Sequence, residues 1–279
     1  MIGYLGPSGT FSHMAAAGYA PNAPLKEFPT IYAVIMAVQA GLIDKGIVPI
    51  ENSIEGSVNV TLDTLFFDVD LYITDEYILK IEENLIVKPG ARREQIKKII
   101  SHPQPIGQCS KLLNHDFADV EIGYTNSTAD AAKAVAASDG SIAMLGPKKC
   151  AELYDLELLI PNCGDELHNS TRFAVIERTQ NLHVTASDKT SIAFTLNNTP
   201  GSLYQALELF KTYAINMIKI ESRPVKKELG TYVFFIDIDG NIDNATIYFA
   251  LDKLRGATLS FKFLGSYKKA QESRPDAIS

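Results

Sequence analysis

Short apolar runs alternate with amphipathic stretches along the first two thirds of the chain. Runs with the length and composition of buried strands lie at residues 2–5, 46–49, 96–100, 120–124 and 141–144. Behind Thr30, a typical helix N-cap residue, apolar side chains recur at the spacing of one helix face: Ile31, Val34, Ile35, Val38 and Leu42. This alternation of strands and helices predicts largely parallel α/β lobes across residues 1–178.

Two β-rich runs between residues 72 and 87 are separated by an acidic stretch, and a turn follows at Pro89 and Gly90. Here we expect the chain to cross between lobes. We predict one lobe from residues 1–76 with 160–178 and another from residues 77–159. In the second lobe, Pro103 and Pro105 oppose a helix before Gly107, so the helix is expected at residues 108–115.

The pattern changes after a polar connector at residues 179–189. Strands are predicted at residues 190–196, 217–222, 231–237 and 258–267, with helical apolar stripes at 203–210 and 247–254. The order βαββαβ predicts a ferredoxin-like module over residues 190–267. Residues 268–279 have no core pattern and are expected to be disordered.

Polar loops follow several of the predicted strands. Residues 6–12 join a strand to a helix, which leaves backbone N–H groups and the Thr10 hydroxyl free for a carboxylate or phosphate. Glu51, Asn52 and Ser53 lie at the carboxyl end of a strand, where open α/β sheets bind ligands. Ser127 is a plausible N-cap of an Ala-rich helix. Because no Walker or dinucleotide motif is present, nucleotide binding is disfavoured.

Residues 169–173 place an amide, two hydroxyls and a guanidinium ahead of the apolar run 174–176. These groups can meet an anionic ligand with neutral donors and one fixed positive charge. The same residues are also compatible with a capped turn that enters a strand. Arg172 in particular could pair with a ligand carboxylate or form a structural salt bridge.

Composition narrows the classes of function. The net charge of −7 and the absence of a basic block argue against binding to nucleic acid or to an anionic membrane. No apolar run is long enough for a transmembrane helix and the first residues do not resemble a signal peptide, so we expect a cytoplasmic protein. Three cysteines without close paired spacing make a disulfide framework or a structural zinc site unexpected.

Taken in order, these motifs resemble the prephenate dehydratase family. The segments that carry the resemblance are residues 6–12, 48–58, 101–109, 127–131 and 169–173, and residues 221–224 resemble the ligand motif of that family's C-terminal ACT domain. The resemblance implies a two-lobed catalytic domain with a type II periplasmic-binding-protein-like fold at residues 1–178, followed by a regulatory ACT domain at residues 190–267.

The family's reaction converts prephenate to phenylpyruvate, carbon dioxide and water in phenylalanine biosynthesis, without a metal or organic cofactor. The resemblance gives Thr171 the central catalytic place, with Asn52 and with Glu51 or a bound water as a proton relay. The residues expected to bind or orient the substrate are Thr10, Ser53, Ser101, Gln108, Ser127, Thr128, Arg172 and Phe173. If Arg172 binds a carboxylate of the substrate, we expect it on the side-chain carboxylate.

By the same resemblance, the ACT domain binds L-phenylalanine at a subunit interface and gives end-product inhibition. The implied effector residues are Pro200, Gly201, Ser202, Leu203, Asn216, Glu221, Ser222, Arg223 and Pro224. A homodimer or homotetramer formed through ACT domains is expected. Two alternatives stay open at this point: an arogenate dehydratase, which acts on the corresponding amino acid, and an amino-acid sensor without catalytic activity.

Overall fold

The computed structural model describes residues 1–166, 168–225 and 231–270. In chain order the strands are β1 (Ile2–Leu5), β2 (Leu25–Phe28), β3 (Lys45–Asn52), β4 (Gly56–Ser57), β5 (Tyr72–Lys80), β6 (Asn84–Val87), β7 (Lys98–Ser101), β8 (Glu121–Tyr124), β9 (Ile142–Gly146), β10 (Glu157–Ile160), β11 (Ser170–Glu177), β12 (Asp188–Thr195), β13 (Met217–Pro224), β14 (Tyr232–Asp239) and β15 (Ser260–Lys268).

The α-helices are α1 (Phe11–Tyr19), α2 (Ile31–Gln39), α3 (Asn59–Phe67), α4 (Pro103–Gln108), α5 (Ser110–Asp116), α6 (Thr128–Ala137), α7 (Lys148–Leu153), α8 (Ser202–Thr212) and α9 (Ala245–Ala257). None of the helices within the described ranges is long and apolar enough to cross a membrane.

The first sheet has the order β2-β1-β3-β11-β5, with β4 paired to β3. Its two faces are covered by different parts of the chain. Helix α1 packs Ala15 and Ala16 on the face that carries Phe173 and Val175. Helices α2 and α3 pack on the face that carries Ala174 and Ile176, and residues of the C-terminal sheet join that second core.

The second sheet has the order β10-β6-β9-β7-β8. Both sheets are mixed, so the prediction of largely parallel lobes was wrong in part. Strand β11 runs antiparallel to β3 and β5, and β6 runs antiparallel to β9 and β10. The reason is the path of the chain, which leaves the first sheet through β5 and returns to it through β11, in the opposite direction.

The passage between the sheets lies later than predicted. Strand β5 continues in the first sheet to Lys80, which pairs with Ser170, so the expected boundary between residues 76 and 77 falls inside a strand. The chain crosses at residues 81–83 and returns at residues 161–169. Strands β2 and β10 were not predicted; they are four-residue strands at the ends of their sheets.

Two predictions for helices also need correction. Helix α4 begins at Pro103 because the first N–H groups of a helix need no intrahelical partner, so a proline is tolerated there. Helix α2 ends at Gln39 and is followed by Gly41 in the left-handed region, which leaves Leu42 exposed and outside the helix face. Thr30 and Ser127 are N-caps as predicted, since they accept hydrogen bonds from the N–H groups of Ala33 and Asp130.

The third sheet is antiparallel, with the order β13-β14-β12-β15, and α8 and α9 cover one of its faces. This confirms the predicted ferredoxin-like βαββαβ arrangement. The predicted disorder of the C-terminal tail does not hold at its beginning, because Lys268 ends β15 and the N–H of Ala270 donates to Glu76 at 2.8 Å. Residues 271–279 lie outside the described residues.

The third sheet packs against the first where β15 crosses β5. Gly265 has φ of 139°, and a Cβ built there would lie 2.1 Å from the carbonyl oxygen of Ile73. Only a residue without a side chain allows this approach of two backbones. Gly265 therefore permits the close docking of the C-terminal module on the first sheet.

We expect Gly265→Ala to lower the midpoint of thermal unfolding, since strained backbone of this kind costs about 1–3 kcal/mol before the contact with Ile73 is counted. Gly256→Ala is the matched control, because an added Cβ on α9 meets open space and alanine favours a helix. A midpoint for Gly265→Ala equal to that of the control would contradict this account of the docking.

Candidate active site

A cleft between the first and second sheets holds two cavities. The larger one has a volume of about 520 Å³ and is lined from both sides, by Ile81 and Asn169 at the crossing and by Gln104 and Gln108 on α4. The smaller one, of about 190 Å³, is lined by residues 10–12 and 126–128. Glu83 and Gln104 line both cavities, so the two are adjacent. The structure thus brings the predicted polar loops together around one cleft.

Asn52 holds the hydroxyl of Thr171 by a hydrogen bond of known direction. The Asn52 Oδ1 accepts from the backbone N–H groups of Ile54 at 2.9 Å and Glu55 at 3.0 Å. The amide nitrogen Nδ2 must therefore be the group that lies 2.9 Å from Thr171 Oγ1. Because Thr171 accepts in this bond, its own hydroxyl hydrogen stays available for donation.

The amide contacts continue across the cleft. Asn52 Nδ2 also donates to Asn169 Oδ1 at 2.9 Å, and Asn169 Nδ2 donates to Gln108 Oε1 at 2.9 Å. Gln108 Nε2 in turn donates to Glu55 at 3.2 Å. Thr171 itself is buried and lines neither cavity, but Asn52 connects it to Asn169, which lines the larger one. Side chains of both lobes therefore fix the orientation of the groups around Thr171.

Two helices begin at the smaller cavity, one from each lobe. Thr10 Oγ1 accepts from the N–H of His13 at 3.3 Å and donates to the Pro7 carbonyl at 2.9 Å. Ser127 Oγ accepts from the N–H of Asp130 at 3.0 Å, and Thr128 is the first residue of α6. The two N-termini give the cavity a positive potential without a charged side chain.

Arg172 and Glu51 do not reach the cleft, so their predicted contacts with the substrate and with the leaving hydroxyl are wrong. Side chains alternate along a strand, which puts Arg172 on the face of β11 opposite to Thr171. There Arg172 pairs with Glu51 at 3.1 Å and with Asp237 of the C-terminal module at 2.8 Å. Lys219 also pairs with Glu51, at 3.1 Å.

Three more predicted substrate contacts are structural in this fold. Ser101 is fully buried and donates to the carbonyl of Leu145 at 2.6 Å. Phe173 is buried in the core beneath α1. Ser53 Oγ donates to the His168 carbonyl at 3.2 Å and accepts from the Ser170 N–H at 3.0 Å, and it lines neither cavity.

Glu83 is the acidic residue of the cleft that the sequence did not reveal. Its side chain is 3% exposed, and Oε2 has no hydrogen-bond partner among the described residues. Burial raises the pKa of this carboxyl to about 8, and the nearby Cys163 adds to the effect. In the sequence Glu83 belongs to the acidic stretch that separates two β-rich runs. The apolar residues Ile81 and Leu85 at alternate positions were the available signal that this acid is not solvated.

Comparisons with known proteins agree with the family resemblance found in the sequence. A sequence model of the family described as prephenate dehydratase matches residues 2–181. The chain is 40% identical over 270 residues to a bifunctional chorismate mutase/prephenate dehydratase of Pseudomonas aeruginosa, covering 96% of this chain and 73% of that protein. It is 36% identical over 272 residues to the prephenate dehydratase of Lactococcus lactis subsp. cremoris, covering 95% and 96% of the two chains.

Among solved structures, prephenate dehydratase from Arthrobacter aurescens in complex with L-Phe has a TM-score of 0.89 to this fold at 31% sequence identity. The match covers 98% of this chain and 92% of that one. The similarity therefore includes the third sheet and its helices as well as the two sheets that form the cleft.

The raised pKa of Glu83 predicts a stability that falls as the pH rises. Between pH 4.5, the ordinary value, and about pH 8, the unfolded chain gives up the Glu83 proton while the folded chain keeps it. We expect Glu83→Gln to remove this loss, which amounts to at most about 4 kcal/mol between pH 5 and pH 8 at 1.36 kcal/mol per unit. Denaturant unfolding at both pH values measures the difference.

The matched control is Glu82→Gln, because Glu82 is its exposed neighbour and pairs with Lys80 at 2.6 Å. That variant should keep the native pH dependence. If Glu83→Gln and the native chain lose the same stability between pH 5 and pH 8, Glu83 is ionised at neutral pH and this description of the cleft is wrong.

Proposed function

The chain belongs to the prephenate dehydratase family and is a lyase, and we propose that its cleft converts prephenate to phenylpyruvate, carbon dioxide and water with Thr171 as hydrogen-bond donor to the departing hydroxyl. The observation that supports this role is the bond from Asn52 to Thr171, because it leaves the threonine hydrogen free to donate. The reaction belongs to phenylalanine biosynthesis, and we place the enzyme in the cytoplasm with that pathway.

The reaction sets clear demands on a site. Prephenate loses its ring hydroxyl and ring carboxylate and becomes aromatic, so the ring supplies the driving force. The protein has to orient the ring, help the hydroxyl to leave and hold the carboxylate that stays. A site without a cation beside the ring carboxylate favours the loss of carbon dioxide, since it does not stabilise the localised charge.

The two cavities of the cleft can meet different parts of these demands. No Lys or Arg is among the described residues that line the smaller cavity, where two helix N-termini can hold the carboxylate that remains. We assign Thr10, Ser127 and Thr128 to this role through the helix ends that they begin. Gln108 and Asn169 line the larger cavity and are positioned to orient the ring.

Thr171→Val is expected to lower turnover of prephenate about a hundred- to thousandfold, because the lost transition-state hydrogen bond is worth about 2.7–4 kcal/mol. The measurement is the appearance of phenylpyruvate by ultraviolet absorbance, with arogenate assayed in parallel. Faster turnover of arogenate would assign the chain to that substrate, and no turnover of either would favour an amino-acid sensor.

Asn52→Asp gives the matched test, since it keeps the shape of the side chain but replaces the Nδ2 donor by an acceptor. The Thr171 hydrogen should then turn toward the carboxylate, and we expect a loss of turnover at least as large. Native-like circular dichroism has to accompany both variants. Near-normal activity in either of them would exclude Thr171 as the donor.

We also propose that residues 190–267 form an ACT domain that binds L-phenylalanine, and the related prephenate dehydratase from Arthrobacter aurescens is itself a complex with L-Phe. In the sheet, Thr195 pairs with Val233 and Val233 pairs with Arg223, so the turn before α8 and the end of β13 lie at the same end. The residues of the proposed site are Pro200, Gly201, Ser202, Leu203, Glu221, Ser222, Arg223 and Pro224.

Asn216 does not join them within one chain. It precedes β13 and donates to Asp239 at 2.6 Å, at the opposite end of the sheet. Within one chain β13 separates Asn216 from the turn, so its contact with an effector at a subunit interface stays a prediction.

An oligomer through the C-terminal module is part of the proposal. Strand β13 forms an edge of the third sheet, and Met217, Ile218 and Ile220 are 37%, 46% and 47% exposed. An exposed apolar edge strand is a template for pairing with another chain. We propose that a second copy covers it, in a homodimer or homotetramer.

Regulation can reach Thr171 through the residue beside it. Arg172 contacts Asp237 on β14 and Glu76 on β5 at 2.8 and 3.4 Å, and its side chain is 12% exposed. Burial alone would lower the pKa of the guanidinium, but the surrounding carboxylates, Asp237 foremost, hold its pKa above the ordinary value. A shift of β14 on ligand binding would therefore move β11, and with it the Thr171 hydroxyl.

We expect Asp237→Asn to weaken inhibition by L-phenylalanine several-fold, since the charge that ties Arg172 to the C-terminal module is lost. Turnover without the effector should change much less than in Thr171→Val. The control is Glu121→Gln, which removes an exposed ion pair with Lys98 in the second sheet. Inhibition in Asp237→Asn equal to that in the control would rule out this route.

A further inference from the structure

Glu83 stands at the junction of the two cavities, and the backbone around it is fixed. The N–H of Ile81 donates to the carbonyl of Asn169 at 2.8 Å, and the Glu83 carbonyl accepts from the N–H of Cys163 at 2.7 Å. Both contacts come from the segment that returns to the first sheet. Because Glu83 lines both cavities, its carboxyl is held beside the space that a ligand of the cleft would occupy.

The surroundings of Glu83 supply neither a hydrogen bond nor an ion pair to its carboxyl among the described residues. The titratable groups that face it across the two cavities or pack around it are Glu55, His102, Cys109, Lys111, Cys150, Cys163, Asp165 and Glu166. Burial is the larger cause of its raised pKa, and the charge effect of Cys163 adds to it. An acid in this setting keeps its proton at neutral pH.

A proton donor is what the site otherwise lacks. A threonine hydroxyl is a weak acid and needs a partner to supply a proton. Glu51, the partner expected from the sequence, lies on the other face of the sheet with Arg172 and Lys219. Among the acidic residues that line the same cavity as Asn169, Glu83 is the buried one, and Asn169 is connected through Asn52 to Thr171.

We propose that Glu83 is the general acid that delivers the proton to the departing ring hydroxyl of prephenate, while Thr171 orients that hydroxyl. This inference rests on the proposed function. The Glu83 proton moves to the hydroxyl oxygen, the carbon–oxygen bond breaks, and its electron pair leaves with water. The bond to the ring carboxylate also breaks, its electron pair completes the aromatic ring, and carbon dioxide leaves. The Glu83 carboxylate then takes a proton from solvent.

A neutral Glu83 also suits the binding step. Prephenate carries two negative charges, and an ionised carboxylate at the junction of the cavities would repel it. Protonated Glu83 removes this repulsion and adds a donor. The same proton thus serves binding before it serves the leaving group.

The test is the pH dependence of kcat and kcat/KM from pH 6 to pH 10 in the native chain and in Glu83→Gln. The native chain should lose activity above about pH 8, with a slope of one. Glu83→Gln should lower kcat about a hundred- to ten-thousandfold and remove this alkaline limb, while KM changes only a few-fold. Glu82→Gln is the matched control, because Glu82 is the neighbour of Glu83 but lines neither cavity, and this variant should keep both kcat and the limb.

Glu83→Asp keeps the acid one methylene farther away and should retain a weaker activity together with an alkaline limb. If Glu83→Gln does not fold, the activity and pH profile of Glu83→Asp test the role of Glu83 instead. A native profile that is flat through pH 8, or Glu83→Gln with kcat within threefold of native, would overturn the role of Glu83. If the native chain makes no phenylpyruvate at all, the proposed function itself fails, so the two failures are distinguishable.

Discussion

The structure depends on the pairing of β11 with β3 on one side and β5 on the other. Thr171 lies opposite Asn52 and Leu79, and Arg172 lies opposite Glu51 and Ile78. Residues that are paired across strands share a face of the sheet, so this register puts Thr171 and Asn52 toward the cleft. A shift of one residue would exchange the two faces and place Arg172 in the cleft instead.

This register explains why Arg172 is not part of the active site. The guanidinium that the sequence offers for an anionic ligand is used by Asp237, Glu76 and Glu51 on the other face. The smaller cavity of the cleft instead presents two helix N-termini, with no Lys or Arg among the described residues that line it. A dianion can be held there by hydrogen bonds without a cation. Decarboxylation is easier in that setting than beside a fixed positive charge.

Much of the fold could be predicted because the apolar residues of each helix and strand recur with the period of that element. The apolar stripes of α8 and α9 and the strands around them were enough for the ferredoxin-like order. The place of β11 could not be read in this way, because its partners β3 and β5 lie about a hundred residues earlier. From the sequence, residues 169–173 were compatible with a ligand-binding segment or with a turn before a strand. In the structure β11 already begins at Ser170, so Thr171 and Arg172 lie on opposite faces of the sheet.

The residues predicted for the site also fall into two groups, those at the cleft and those buried elsewhere. Six predicted residues line the cleft or are connected by hydrogen bonds to residues that line it, where polar loops after strands were expected to meet: Asn52, Thr171, Gln108, Thr10, Ser127 and Thr128. Ser101 and Phe173 were also expected in the site, but both are buried in structural contacts, and the sequence does not specify that burial. Glu83 was missed for the converse reason, since an acid in an acidic stretch resembles a solvated residue until its neighbours are known.

The most direct test of the account is a crystal structure of the Glu83→Gln variant with prephenate bound. The account predicts that Thr171 Oγ1 lies about 2.5–3.0 Å from the ring hydroxyl oxygen. It also predicts one substrate carboxylate at the N-termini of α1 and α6, with Arg172 still paired to Asp237. A substrate carboxylate bound to Arg172, or a ring hydroxyl out of reach of Thr171, would contradict it.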